Sequence, residues 1–186
     1  AFVLARDHDA LAVRADTRIN RILMDTVSGS DDQLFAMDAE EALAAQYPEG
    51  IPGEQLFYEH VHFTVEGNFT LARSFAEEVS TLLPSEIAAS QTEDWQENDA
   101  CNRLLALTEW DQLRLWQEES QRINTMPFIS QSSNPHNKTY INQQMKGIRA
   151  GITKDSWAPD NQLYISALER APDDTFLVAN YAQFLD

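Results

Sequence analysis

The chain is poor in cysteine and in basic residues, and it has no long apolar run. Cys101 stands alone among 186 residues, which excludes an intramolecular disulfide and a cysteine-based zinc site. Thirteen Lys and Arg stand against 30 Asp and Glu, for a formal net charge of −17. Such a surface repels phosphate backbones and anionic headgroups, so we expect neither nucleic acid nor a membrane as a partner. No apolar stretch approaches the roughly 20 residues that cross a bilayer.

Most of the sequence instead carries a helical period. Apolar spacing predicts helices over residues 9–27, 39–45, 64–83, 95–107, 108–123, 138–152, 159–170 and 174–186. Thr64 is a predicted N-cap, and Thr108 with Asp111 comes close to a capping box. The run Leu34-Phe35-Ala36-Met37 predicts one buried strand. The expected fold is therefore mainly α with a small α/β remnant, in two parts, residues 1–84 and 85–186.

A lone strand has nothing to pair with. We therefore expect the chain to be a fragment of a larger multi-domain protein whose other strands lie elsewhere. An unpaired strand also exposes its edge to a second copy of the chain, so edge pairing or swapping into a homodimer is a further expectation.

The chemistry of the sequence is concentrated at Glu59 and His62, just ahead of the predicted helix that begins at Thr64. A carboxylate three residues before a histidine can hold the imidazole in one tautomer. His62 is therefore a predicted general base and Glu59 its orienting partner. The alternative is a histidine that caps a helix start or bonds a neighbouring carbonyl. No nucleophile elbow stands upstream, and Ser28 and Ser30 lie in a linker, so no nucleophile is assigned.

His60 and His62 also form a His-x-His pair. In an extended segment both imidazoles would face one side and could bind zinc or nickel together with Glu59. A catalytic zinc site requires three protein ligands, and neither His8 nor His136 has ligand spacing. We therefore expect no metal and no cofactor.

The first part of the chain carries a series of short motifs, Arg14-Ala15-Asp16, Ile19-Asn20, Asp38-Ala39-Glu40, Gly50-Ile51-Pro52-Gly53, Leu56-Phe57-Tyr58-Glu59-His60-Val61-His62 and Glu66-Gly67-Asn68. With these motifs it resembles the C-terminal end of an SGNH (GDSL-type) hydrolase. In that family the last motif is Asp-x-x-His directly before the C-terminal helix, and here Glu59 replaces the Asp. The resemblance implies hydrolysis of an ester or acyl group through a serine acyl-enzyme. The family's serine and oxyanion blocks lie far upstream of the histidine, so we expect this chain alone to be inactive.

The last part of the chain contains Tyr164, Ala167-Leu168, Ala171-Pro172-Asp173-Asp174, Tyr181-Ala182 and Leu185. This pattern is similar to a tetratricopeptide (TPR) junction. This resemblance implies a helical region that binds a protein or peptide partner. Four tryptophans, Trp95, Trp110, Trp116 and Trp157, lie in the same half. We expect them to pack in the core or between helices, and a concave peptide-binding surface is the alternative.

Two functions therefore follow from the sequence. The chain is a hydrolase fragment joined to an interaction region, or it is a non-catalytic helical scaffold.

Overall fold

A computed structural model describes residues 2–9, 15–30, 34–47, 49–59, 61–90 and 94–186. These residues contain ten α-helices and one 3-10 helix, and no β-strand occurs among them, so the predicted mainly helical class is confirmed. The chain divides into two compact units, Ala1–Thr92 and Glu93–Asp186. The first contains α1 (Phe2–Asp7), α2 (Thr17–Ser28), α3 (Ala39–Ala44), α4 (Val65–Leu82) and α5 (Ser85–Ala88). The second contains α6 (Asn98–Leu104), α7 (Glu109–Arg122), the 3-10 helix (Phe128–Ser130), α8 (Asn134–Gly151), α9 (Trp157–Arg170) and α10 (Thr175–Leu185).

In the first unit, α4 begins where the sequence predicts it. Thr64 is the N-cap, and its hydroxyl accepts a hydrogen bond from the Gly67 amide at 3.0 Å, which satisfies one of the free donors of the first turn. The helix start lies directly against the preceding loop, because a Cβ on Gly67 would meet the carbonyl oxygen of Leu56 at 2.2 Å. Leu56 is fully buried, and Leu43 of α3 is 5% exposed. These contacts place α4 against the loop and α3.

The predicted buried strand at Leu34–Met37 is wrong. The segment has no regular secondary structure, and the side chains of Leu34 and Phe35 are 55% and 65% exposed. It leads into α3 at Asp38, whose carboxylate accepts from the Glu41 amide. An apolar run becomes a strand only when a second strand supplies its hydrogen bonds, and none of the described residues does so. The expected homodimer through a strand edge therefore loses its basis.

In the second unit, α7 packs against α8. Their contact buries Leu113, Trp116, Ile141 and Met145, and the Trp116 ring meets Tyr140 edge-on at 5.8 Å. The predicted capping box is confirmed, since the Thr108 hydroxyl accepts from the Asp111 amide while the Asp111 carboxylate accepts from the Thr108 amide.

Helices α9 and α10 form a second packed pair, which also contacts α6 and α7. Arg170 ends α9 and Asp174 caps α10, as the sequence predicts. Tyr164 is fully buried, and its ring stacks on Tyr181 at 5.1 Å. Trp157 stacks on Phe184 at 6.1 Å. Trp157 and Tyr164 of α9 thus pack on Tyr181 and Phe184 of α10, whereas Phe176 of α10 is 82% exposed.

Candidate active site

A short β-bridge positions the Glu-x-x-His motif. Phe57 and Phe63 form an antiparallel bridge, and their rings stack at a centroid separation of 4.7 Å. The Thr64 amide donates to the Leu56 carbonyl at 2.9 Å, and the Thr64 hydroxyl donates to the Gln55 carbonyl at 2.6 Å. The loop is therefore closed where it joins α4, and the motif lies between the two bridged phenylalanines.

Inside this closure the Glu59 side chain turns back on the chain. Its carboxylate accepts hydrogen bonds from the amides of Val61, at 3.0 Å, and His62, at 3.1 Å. It also contacts Nδ1 of His62. A further backbone bond, from the Tyr58 amide to the His62 carbonyl at 2.8 Å, holds both ends of the turn. The sequence predicted the carboxylate–imidazole contact, and the structure contains it.

The two partners differ in exposure. The Glu59 side chain is 2% exposed, whereas the His62 side chain is 52% exposed. Because a carboxylate is acceptor-only, contact with Nδ1 favours the tautomer in which Nδ1 carries the proton. Nε2 is then the nitrogen left to exchange a proton with a bound molecule. A buried carboxylate that fixes an accessible imidazole is the arrangement of the acid–base half of a catalytic triad.

The serines upstream of the motif do not resemble a nucleophile elbow. The Ser28 hydroxyl donates to the Met24 carbonyl at 2.9 Å, and the Ser30 hydroxyl donates to the Val27 carbonyl at 2.6 Å. Both are ordinary side-chain bonds to the last turn of α2. Neither serine acquires a nucleophile role from this geometry.

The metal alternative depends on His60, which lies outside the described residues. Within the described ranges, no group of three His, Cys, Asp or Glu side chains is arranged to hold a metal ion. No helix of the described chain is both long and apolar enough to span a bilayer.

The second unit contains a buried polar cluster that sequence reasoning missed. The Tyr164 hydroxyl donates to Oδ2 of Asp111 at 2.5 Å, and the Thr108 hydroxyl and amide donate to the same oxygen at 2.7 and 3.0 Å. Burial, followed by the bond to Asp111, raises the pKa of Tyr164, so the phenol remains a neutral donor. The capping-box spacing pointed to Asp111, but no local pattern pointed to a tyrosine 53 residues away.

The second unit also has a shallow groove of about 300 Å³ between α6 and α9. Its lining combines two arginines, Arg103 and Arg170, with apolar and small polar side chains, namely Leu104, Leu163, Ala100, Gln96 and Ser166. Arg170 donates to the Leu104 carbonyl at 2.7 Å and so caps the end of α6. The groove therefore offers positive charge beside apolar surface in a chain that is acidic overall.

No protein-family model matches the chain, and neither a curated protein nor a solved structure matches it. The function proposed below therefore depends on the sequence motifs and on the geometry of the two units.

Proposed function

We propose that the chain carries the acid–histidine half of an SGNH-like ester or acyl hydrolase, joined to a helical protein-interaction region. The observation that supports the proposal is the contact of the buried Glu59 carboxylate with Nδ1 of the half-exposed His62. Glu59 has one methylene more than the aspartate of the family motif. Its side chain nevertheless reaches the imidazole, because it folds back over the amides of Val61 and His62.

In the proposed reaction, Nε2 of His62 takes the proton of a serine hydroxyl as the serine oxygen attacks the ester carbonyl. The tetrahedral intermediate collapses, and the resulting imidazolium returns that proton to the departing alkoxide. A water then attacks the acyl-serine by the same exchange and releases the carboxylic acid. Glu59 stabilises the imidazolium in both halves of the cycle. The proposed reaction requires a serine and oxyanion donors from residues other than 1–186.

The test is hydrolysis of p-nitrophenyl acetate and butyrate by this chain and by a version extended upstream with the parent protein's own sequence. We expect turnover only in the extended version. General-base catalysis contributes roughly 10²–10⁴-fold, so His62→Ala in that version should lower kcat/KM by at least about 10²-fold. Glu59→Gln should also lower kcat, because an amide does not stabilise the imidazolium.

His8→Ala is the matched control, since His8 is an exposed histidine of the same unit and its loss should leave kcat/KM unchanged. Turnover that survives His62→Ala, or that falls equally in His8→Ala, would exclude the proposed role of His62.

A second candidate function is the non-catalytic scaffold, which the arginine-lined groove favours. Two guanidinium groups beside Leu104 and Leu163 suit a short peptide with both acidic and apolar side chains. If neither version hydrolyses esters, binding of acidic peptides should be measured by fluorescence polarisation. Arg103→Glu should abolish binding, and Lys146→Glu, a charge reversal on the exposed surface of α8, should not. Equal effects of the two reversals would mean non-specific attraction.

A further inference from the structure

Helix α2 exposes the side that an amphipathic helix normally buries. Ile19, Ile22 and Leu23 follow one another at helical spacing and form its apolar stripe. Their side chains are 48%, 52% and 60% exposed, and no residue of this helix is buried. The stripe is therefore a continuous apolar surface on the outside of the first unit.

The polar side of the same helix makes its contacts with the unit. The Thr17 amide donates to Asp7 at 3.0 Å, and Arg6 donates to the Thr17 hydroxyl at 2.7 Å. One turn on, the Asn20 amide group donates to Glu40 of α3 at 3.0 Å. At 3.6 residues per turn, positions 17 and 20 lie on the side of the helix away from position 22. These polar bonds hold α2 in an orientation that turns Ile22 outward.

The edge of the stripe carries two exposed charges of opposite sign. Arg18 and Asp25 are seven residues, or about two turns, apart, so they lie along the same edge, next to Ile22. Both are exposed, and neither has an ion-pair partner among the described residues. A partner surface of a single sign would attract one of these charges and repel the other.

We propose that α2 is a self-association surface, through which two copies of this chain pair antiparallel about a two-fold axis. That symmetry packs the two apolar stripes together. It also places Arg18 of each copy opposite Asp25 of the other, as charges on the edges of an antiparallel helix pair do. A second copy therefore satisfies both charges at once. Each copy has a net charge of −17, and this like charge opposes pairing. At about 0.15 M salt, however, screening weakens this long-range repulsion, so the close pairs of Arg18 with Asp25 are the dominant electrostatic contacts.

The first experiment is sedimentation velocity of the chain over a wide range of concentrations at physiological ionic strength. We expect the mass to rise from the 21.1 kDa of one copy to twice that value. Ile22→Asp should keep the chain monomeric at every concentration. Phe75→Asp is the matched control, because Phe75 of α4 is also an exposed apolar side chain, at 55%, but lies outside α2. Circular dichroism verifies that each variant folds.

The second experiment uses charge reversal to test the two-fold geometry. R18D alone places two aspartates opposite each other at both contacts, and D25R alone places two arginines there, so each should raise the dimer Kd by at least about tenfold. Mixing the two variants restores opposite charges at both contacts, and the mixture should dimerise as the unmodified chain does. The double variant R18D/D25R should also dimerise.

Three results would overturn the proposal. The chain could remain monomeric throughout. It could form dimers that Ile22→Asp and Phe75→Asp weaken equally, which would indicate non-specific association of exposed apolar side chains. The mixture of R18D and D25R could associate no better than either variant alone, which indicates another geometry or a partner other than the chain itself.

Discussion

Replacing Tyr164 with phenylalanine tests the buried polar cluster of the second unit. The change keeps the ring stacked on Tyr181 and removes only the hydroxyl, which donates to Asp111 at 2.5 Å. Tyr164 is fully buried and Asp111 is 6% exposed, so water does not replace the lost donor without rearrangement. The Asp111 carboxylate would retain its bonds from Thr108.

The expected loss follows from the charge of the acceptor. A hydrogen bond to an ionised group contributes about 1.5–3 kcal/mol to stability, against about 0.5–1.5 kcal/mol for a neutral pair. Because Thr108 continues to donate to the same oxygen, we expect Tyr164→Phe to lower the free energy of unfolding by about 2 kcal/mol. In a unit of this size that corresponds to a fall in Tm of roughly 8–16 °C.

The assay is urea unfolding followed by tryptophan fluorescence. All four tryptophans lie between residues 93 and 186, so fluorescence reports the second unit alone. Tyr181→Phe is the control, because its hydroxyl donates to the neutral side chain of Asn161 at 2.8 Å and should cost no more than about 1 kcal/mol. Equal losses in the two variants would refute the extra stability assigned to the charged acceptor Asp111.

Two further predictions concern the first unit. Gly67→Ala forces a Cβ to 2.2 Å from the carbonyl oxygen of Leu56 and should destabilise the unit by about 3 kcal/mol, measured by circular dichroism in urea. Gly147→Ala, where nothing lies within 4 Å of the added Cβ, should be neutral or stabilising. A larger loss of stability in Gly147→Ala than in Gly67→Ala would contradict this expectation. The hydrogen bonds from Thr17, and then Arg6, hold the pKa of Asp7 at about 2, below the 3.8 of a free carboxyl. The ionised Asp7 carboxylate therefore stabilises the fold above pH 3.8, and this stabilisation is lost as the pH falls towards 2. An NMR titration of Asp7 should have its midpoint near pH 2, and the midpoint should shift upward in Thr17→Ala.

The contacts that could be predicted from the sequence are local, because each connects residues only a few positions apart. The Thr64 N-cap and the Thr108–Asp111 capping box each connect a side chain to an amide three positions on, and the residue types at that spacing are sufficient to predict them. The contact of Glu59 with His62 is equally local, which is why the motif could be read before the structure.

The features that could not be predicted from the sequence, or were predicted wrongly, depend on parts of the chain that are distant in sequence. Leu34–Met37 has the composition of a strand, but a strand exists only when another strand pairs with it. The bond from Tyr164 to Asp111 joins α9 to α7, and the apolar spacing within either helix does not indicate such a contact. The outward orientation of α2 was also hidden, because apolar spacing predicts a stripe without indicating which side faces the protein.

The closed loop around the candidate site has a consequence for how that site can change. The bridge between Phe57 and Phe63 and the bond from Thr64 to Leu56 connect the framework on either side of the motif without using the side chains of Glu59 or His62. Substitution of Glu59 removes its bonds to the amides of Val61 and His62 but leaves this bridge and this backbone bond in place. Other side chains, and with them other chemistry, can therefore be introduced at positions 59 and 62 while the bridge and the backbone bond still hold the start of α4.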